Sequence, residues 1–397
     1  MKAAAIAVCL LFLSGLLAGC TPFGGQAANR GTIRVLALGS FTAGADSPGA
    51  YIRNALTDEA GQLNASGGVL GYKVAVVSSD DGGDSNADPG LITKAAMSAS
   101  LKLVVGAPPV SGMANDQGVL AGKGLLACSS TALPESALAA SPAVFSIESQ
   151  EQEAAALLAY AVHTQHIQRI GLIATADAGG QAMDRALASQ AGGAGATYLG
   201  AQLIPAGTIG QSAPIRKLVN QRVGAIVLSQ DPVMAARTAM AVHALGLNPG
   251  IELLGFSSLA SYPFAQLGGD GASGTVVAAL NSSVLTPLAA ARWAPNYRNL
   301  THNLVNDYDT ALDGITPRGD VAAADCLSGW ARAAAQAGTL SPGPVAKAWA
   351  RLHLSAGQDV LGMTESYSGH VALRASSMFI YKWALQGGHW YLDPLGV

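Results

Sequence analysis

The chain is expected to be an α/β protein of two doubly wound lobes, each a largely parallel sheet covered on both faces by helices. Short apolar runs alternate along the chain with segments of helical periodicity, and alternation of strand and helix implies parallel strands. The alternation comes in two blocks, one before about Phe145 and one after it. A length of 397 residues exceeds one ordinary core and suits two.

The amino terminus is read separately. Lys2 precedes an apolar run from Ala3 to Leu16, and Leu17-Ala18-Gly19-Cys20 closes it with small residues; this order is that of a signal peptide over residues 1–19. The run falls short of the ~20 apolar residues that a spanning helix needs. Cys20 in this setting resembles the lipobox cysteine of bacterial lipoproteins, whose thiol carries a diacylglycerol. The resemblance implies a membrane tether at Cys20 and work outside the cytoplasm. Residues 20–31, rich in Gly, Ala, Asn and Gln, have too few apolar side chains to fold and read as a flexible leash.

The first block reads as strands at Ile33–Leu38, Val74–Val77, Leu103–Val105 and Leu125–Ala127, with helices at Tyr51–Asn64 and Leu91–Ser100 between them. Asp88 is expected to cap the second helix with Pro89 at its first position. The second block has strands at Ile170–Ala174, Ala225–Leu228 and Leu253–Phe256, and helices at Glu151–His163, Ala178–Ala191 and Pro232–Leu245. Beyond Ala278 come helical stretches from Leu300 to Leu312 and from Asp320 to Ala337, expected to pack on one lobe. Gly369–Tyr391 alternates like strands around a Gln386-Gly387-Gly388 turn and is expected to complete the other. The expected division is 32–145 with 280–365 as lobe I and 146–279 with 366–397 as lobe II. Ligands of such sheets sit beyond the strands' carboxyl ends.

Lys plus Arg is 22 against Asp plus Glu 25, a net charge of -3, so neither a nucleic-acid footprint nor a polybasic membrane patch is present. Cys128 and Cys326 remain once Cys9 and Cys20 are set aside. They could bridge in an oxidising compartment, but their Ala-rich surroundings equally suit small buried thiols, and free thiols are the expectation.

Asn64-Ala65-Ser66-Gly67-Gly68-Val69-Leu70-Gly71-Tyr72-Lys73-Val74 and Val76-Val77-Ser78-Ser79-Asp80-Asp81 with Asp88-Pro89 resemble segments of the type I periplasmic solute-binding proteins of branched-chain amino acid ABC transporters. The likeness runs through nearly the whole mature chain. It implies two lobes crossed about three times by the chain, a small polar solute (a branched-chain amino acid or a related amino acid or amide) as ligand, an ABC permease as partner, no cofactor and a monomer. The family's first ligand loop is matched by Gly106 to Gly112, with Ser111 as its hydroxyl. The second is matched by Cys128-Ser129-Ser130-Thr131, where hydroxyls and backbone N–H groups suit a carboxylate without any cation. Asp177, Asp231 and Ser257 fall where the family's closing lobe meets ligand. Ser257 stands where relatives that bind amino acids offer a carboxylate to the ammonium; Gly179 replaces an expected Tyr, and an aromatic near Gly49 is missing unless Tyr51 serves. Asp231 is the candidate replacement carboxylate. Without it, an amide, a urea-like compound or a simple carboxylate is favoured over leucine, isoleucine or valine.

Catalytic readings find little. Gly-x-Ser-x-Gly and His-Glu-x-x-His do not occur, and Gly122-Lys123-Gly124 precedes a strand where a dinucleotide fingerprint must follow one. Asp84 to Asp88 begins like a calcium loop, but Pro89 stands at the required Gly and Ala95 at the required Glu. His163 and His166 read as solvated rather than metal ligands, and no metal site is expected. An enzyme is therefore not expected; the alternatives to transport are a ligand-sensing lipoprotein and, behind it, a surface hydrolase.

Overall fold

The computed structural model describes residues 30–42, 48–84, 86–106, 110–280, 295–308 and 319–395. Cys20 and its signal segment lie outside them. Strands β1 (Thr32–Gly39), β2 (Lys73–Asp80), β3 (Leu101–Gly106), β4 (Leu126–Ser129) and β5 (Val144–Ser146) form one sheet. Its order is β2-β1-β3-β4-β5, and every pairing is parallel.

Strands β6 (Arg169–Thr175), β7 (Thr197–Ile204), β8 (Ala225–Ser229), β9 (Glu252–Gly255) and β10 (Val276–Leu280) repeat that plan. After a short antiparallel pair, β11 (His353–Leu354) with β12 (Glu365–Ser366), the hairpin β13 (Met378–Gln386) and β14 (His389–Pro394) joins β10 edge to edge. The second sheet is therefore β14-β13-β10-β9-β8-β6-β7, parallel from β7 to β10 and antiparallel beyond. Strands β5, β7 and β10 were not anticipated as separate strands. Three-residue β5 is too short for a pattern, and β7 carries Gly200 at φ +88° inside it, which breaks the apolar alternation a strand normally shows.

Helices α1 (Pro48–Ala65), α2 (Asp88–Ala95), α3 (Val110–Lys123) and α4 (Glu135–Ala139) connect the first sheet; α5 (Gln150–Ala159), α6 (Ala178–Ala194), α7 (Ser212–Asn220), α8 (Pro232–Ala244) and α9 (Tyr262–Gly268) connect the second. Helices α10 (Pro295–Tyr308), α11 (Gly319–Ala337) and α12 (Pro342–Trp349) follow. Both faces of each sheet are buried, as parallel sheets require. Ile33, Val35 and Ala37 of β1 pack with Ile52 and Leu56 of α1, Leu300 of α10 and Trp330 of α11. Leu36 and Leu38 point the other way, onto Ile92, Leu120 and Leu138. In the second sheet Ile226 and Leu228 share a core with Trp383 and Trp390 of the hairpin, while Ala225 and Val227 face Leu157, Met183 and Leu187 of α5 and α6.

The double glycine turn forms as its sequence suggests. Gly68 has φ +74°, and a Cβ there would lie 2.0 Å from the Tyr72 carbonyl oxygen, so only glycine lets helix α1 stop and the chain reverse into β2. Asp88 does not cap α2: the cap position is Ala87, in helical conformation without a side-chain bond, and Asp88 is a buried residue of the first turn. Its carboxyl is turned inward toward Asp116, and burial followed by that neighbour pushes it up to about 7. Helix α2 also stops at Ala95 rather than Ser100, because Ser98 and Ser100 bond each other at 2.7 Å and compete with the helix.

The expectation of free thiols is overturned. Cys128, on β4, and Cys326, on α11, form a disulfide with Cα atoms 5.7 Å apart. Residues 198 positions apart meet because α11 lies on the first sheet, a proximity that their small apolar neighbours do not encode.

The chain passes between the sheets three times: after β5, after β10 and before β13. The first and third passages run side by side. Ser146 N donates to the His370 carbonyl, and Ala372 N and Leu373 N donate to the Ser146 and Ile147 carbonyls at 3.0 Å each. Gln152 Nε2 adds a bond of 2.6 Å to the Leu373 carbonyl, so the two passages form one hydrogen-bonded ribbon on which the lobes are hung.

Candidate ligand site at the strand ends

In the order 2-1-3-4-5 the chain leaves adjacent strands β1 and β3 in opposite directions, which opens a crevice beyond their carboxyl ends; β6 and β8 do the same in the second sheet. The candidate residues of the sequence therefore gather at strand ends, on two sheets.

On the first sheet, Ser129 ends β4 and turns back on its own loop: its hydroxyl donates to the Thr131 carbonyl at 2.9 Å and accepts from Thr131 N at 3.2 Å. Ser130 N and Oγ both reach the Gly106 carbonyl, at 2.9 and 3.5 Å, which ties this loop to the end of β3. Ser129 and Ser130 are each 1% exposed, whereas Thr131 is half-buried. Ser146 Oγ donates to the carbonyls of Thr131, at 3.1 Å, and Glu148, at 2.7 Å, so the loop is held from β5 as well. Thr131 is thus the least buried of this trio; its hydroxyl shares a hydrogen bond of 3.2 Å with that of Ser129 and keeps capacity for one to a solute. Ser111 lies in the first turn of α3, with its side chain outside the described residues.

At the end of β1, Phe41 supplies an aromatic that sequence reasoning sought near Gly49 and did not assign. Gly49 N donates to the Ser40 carbonyl at 2.9 Å, and a Cβ at Gly49 would meet Phe41 Cδ2 at 2.9 Å. The missing side chain at position 49 is what admits the ring of Phe41. Phe41 N in turn donates to Asp80 Oδ1 at 2.9 Å, a bond that with Gly82 N holds the Asp80 carboxyl below its ordinary range.

On the second sheet, both candidate carboxylates cap helices. Asp177 Oδ1 accepts from Gly180 N at 2.8 Å, at the start of α6. Asp231 Oδ1 accepts from Val233 N and Met234 N at 3.0 Å each, with Pro232 at the first helical position of α8. These are ordinary N-cap geometries, and both residues are exposed. Ser257 is fully buried.

One carboxyl at this place was missed by sequence reasoning. Glu153 of α5 reaches under the end of β9, where its Oε1 accepts from Ser257 N at 3.1 Å. It arrives from 104 residues earlier, through the first passage between the sheets. The capping box of Ser149 and Gln152 fixes the start of α5 and so the direction in which Glu153 points. Burial pushes its carboxyl up to about 8, against a smaller lowering by the Ser257 N–H, which favours the protonated form at pH 7. The Arg53 guanidinium lies over the Phe41 ring, 5.7 Å from its centroid. The arrangement offers hydroxyls, backbone N–H groups and an aromatic ring with a cation beside it, suited to holding a small anion or polar solute.

The profile of the periplasmic binding protein family matches residues 32–388. The chain belongs to the periplasmic binding protein family. This is a family of binding proteins, not of enzymes, and the two repeated sheets with three passages are its type I architecture. No curated protein matches the sequence significantly. Solved structures of periplasmic binding proteins do resemble it. A leucine binding protein of Thermotoga maritima has a TM-score of 0.75 at 12% identity, over 91% of this chain and 98% of its own. A solute binding protein of an ABC transporter from R. palustris, in complex with 4-hydroxybenzoate, has a TM-score of 0.76 at 14% identity, over 92% and 96%. The branched-chain amino acid transporter substrate binding protein of Streptococcus pneumoniae, in complex with isoleucine, has 0.70 at 14% identity, over 92% and 100%. At such identities the likeness is one of fold. Among the described residues no helix is long and apolar enough to cross a membrane.

Proposed function

We propose that this periplasmic binding protein is the lipid-anchored receptor of an ABC importer and captures a small carboxylate-bearing solute between its two lobes. The lobes in this reading are residues 32–145 with 280–365 and 146–279 with 366–397. The observation that carries the ligand class is the state of the acidic groups on the second sheet. Asp177 and Asp231 cap helices, and Glu153 is buried and favours its protonated form at the place where an ammonium would seek an anion. A buried ammonium without an anionic partner costs several kcal/mol, so a simple or aromatic acid fits better than an α-amino acid. Phe41 and Thr131 supply an aromatic face and a hydroxyl on the first sheet. Structural neighbours that bind either leucine-type amino acids or hydroxybenzoate show that the fold holds both. Closure follows because a solute touching both lobes favours the closed state over the open one.

A thermal-shift screen of amino acids, amides and aliphatic and aromatic acids tests this. A matching acid at about 100 times its Kd adds ~2.7 kcal/mol of stability. Thr131→Ala weakens that ligand by about tenfold, the loss of one hydrogen bond to a charged group. Asp231→Ala lowers stability by ~1 kcal/mol through its cap and leaves affinity unchanged. Stabilisation by leucine or isoleucine but by no acid, abolished in Asp231→Ala, would restore the amino-acid reading.

Cys20 is the proposed anchor. Cys20→Ser is expected to move the protein from the membrane fraction to the soluble extracytoplasmic fraction, because a protein without acyl chains has no stable hold on a bilayer. Retention in the membrane would remove the lipid from this picture.

A further inference from the structure

Asp325 of α11, Asp359 of the turn before β12 and Glu365 of β12 are each fully buried. They offer carboxylate oxygens within 4.8 Å of one another. Both oxygens of Asp325, both of Glu365 and Oδ1 of Asp359 have no hydrogen-bond donor; Oδ2 of Asp359 accepts from Met363 N at 2.8 Å, which aims the other oxygen inward. Buried carboxylates placed together cost far more than they return unless protons neutralise them or a cation compensates them.

A second observation comes from outside the acidic trio. Tyr367 is 1% exposed, and its hydroxyl, beside the Trp349 indole and the Glu365 carboxyl, has no partner at full hydrogen-bond geometry. Tyr367 lies two residues beyond Glu365 in extended chain, so it emerges on the same side. A Cβ on Gly329 would stand 3.0 Å from its hydroxyl, and Gly329 is one helical turn from Asp325, on the same face of α11. The same three carboxyls are the charged neighbours of this hydroxyl. A fourth oxygen is thus directed at the cluster.

We propose that Asp325, Asp359 and Glu365, with the Tyr367 hydroxyl, bind one hard divalent cation. All the donors are oxygens, which suits calcium, magnesium or manganese rather than zinc or copper. Carboxylate oxygens within 4.8 Å of one another can close on one calcium ion at ~2.4 Å each, so calcium is the first ion to test. Arg332, two turns along α11 from Asp325, is the charge that brings the assembly near neutrality; it acts on Glu365 and bonds the Gln358 carbonyl at 2.6 Å. A groove of about 390 Å³ lined by Glu59, Ser328, Arg332, Gln358 and Val360 lies alongside, the last two being the chain neighbours of Asp359. The ion would join α11 to the chain that leads into the third passage between the sheets. Asp325 is adjacent to Cys326, so it would stiffen the same helix that the disulfide ties to the candidate ligand loop.

The test uses the full chain, stripped with EDTA, dialysed against ~1 mM calcium, magnesium or manganese chloride and passed through gel filtration. Elemental analysis is expected to find about one ion per chain for at least one of the three, and the melting midpoint to rise by about 5 °C relative to EDTA, as binding to the folded state alone requires. Asp359→Asn and Glu365→Gln are each expected to abolish retention and the rise. If either variant fails to fold, the stoichiometry of the unaltered chain decides. Retention below about a tenth of an ion per chain for all three metals, with a midpoint indifferent to EDTA, overturns the site and leaves carboxyls that share protons. Ion retention undiminished in both variants overturns it as well.

Discussion

Replacing Cys128 and Cys326 together by alanine is expected to lower stability by about 4 kcal/mol, the scale for a disulfide that closes a long loop. The bridge spans 198 residues, so its loss frees a large part of the unfolded chain and raises that state's entropy. The loop it closes contains the whole second parallel block, from β6 to β10, so unfolding of either lobe is felt through it. In a chain of this size ~4 kcal/mol corresponds to a fall in melting midpoint of roughly 5 °C. The check is denaturation of the oxidised protein, the reduced protein and the double variant side by side. Reduced and double-variant proteins should coincide, both below the oxidised form. Coincidence of all three would mean that the thiols are free in the protein.

Stability is expected to fall as pH rises from about 5 to 9, and Glu153→Gln is expected to remove a substantial part of that fall, with Glu59, raised to the same extent by burial, supplying another. Burial raises the Glu153 carboxyl from 4.5 to about 8. Between those values the folded state holds a proton that the unfolded state has released, so the slope of stability against pH is negative. The contribution is fully present below the unfolded value and lost as pH passes the folded one. Its full size, several pH units at 1.36 kcal/mol each, is on the order of 4 kcal/mol. Glutamine keeps an oxygen for the Ser257 N–H and cannot ionise. The variant should match the native chain within ~1 kcal/mol at pH 5 and exceed it by several at pH 9. Asp88 and Asp116, raised to about 7 and about 6 by burial, add smaller falls at lower pH. A native chain equally stable at pH 5 and 9, or a variant with the same slope, would show that Glu153 is solvated in solution.

Most of the architecture was legible in the residues because its causes are local. Apolar runs separated by helical periods specify parallel strands, and the Gly67-Gly68 turn, the Asp231-Pro232 start of α8 and the Gly387-Gly388 hairpin each carry their own backbone requirement. The site was legible only as a set of strand ends. Which hydroxyls turn inward could not be read, because Ser129 and Ser130 are satisfied by carbonyls of Thr131 and Gly106, and the second of these comes from another strand. Asp177 and Asp231 were placed at the ligand face without their capping role, although each begins a helix, a signal that the sequence did contain.

Some features have no local cause at all. Local sequence determined that two doubly wound sheets would form, and it placed the candidate ligand loops at their ends. Tertiary structure alone decided that Cys128 meets Cys326, that Glu153 lies beneath Ser257, and that Asp325, Asp359 and Glu365 share one buried space. Backbone propensity and apolar periodicity act within a few residues. Disulfide partners, desolvated carboxyls and oxygen clusters are brought together only when helices and crossing strands settle on the sheets, across separations that no short pattern records.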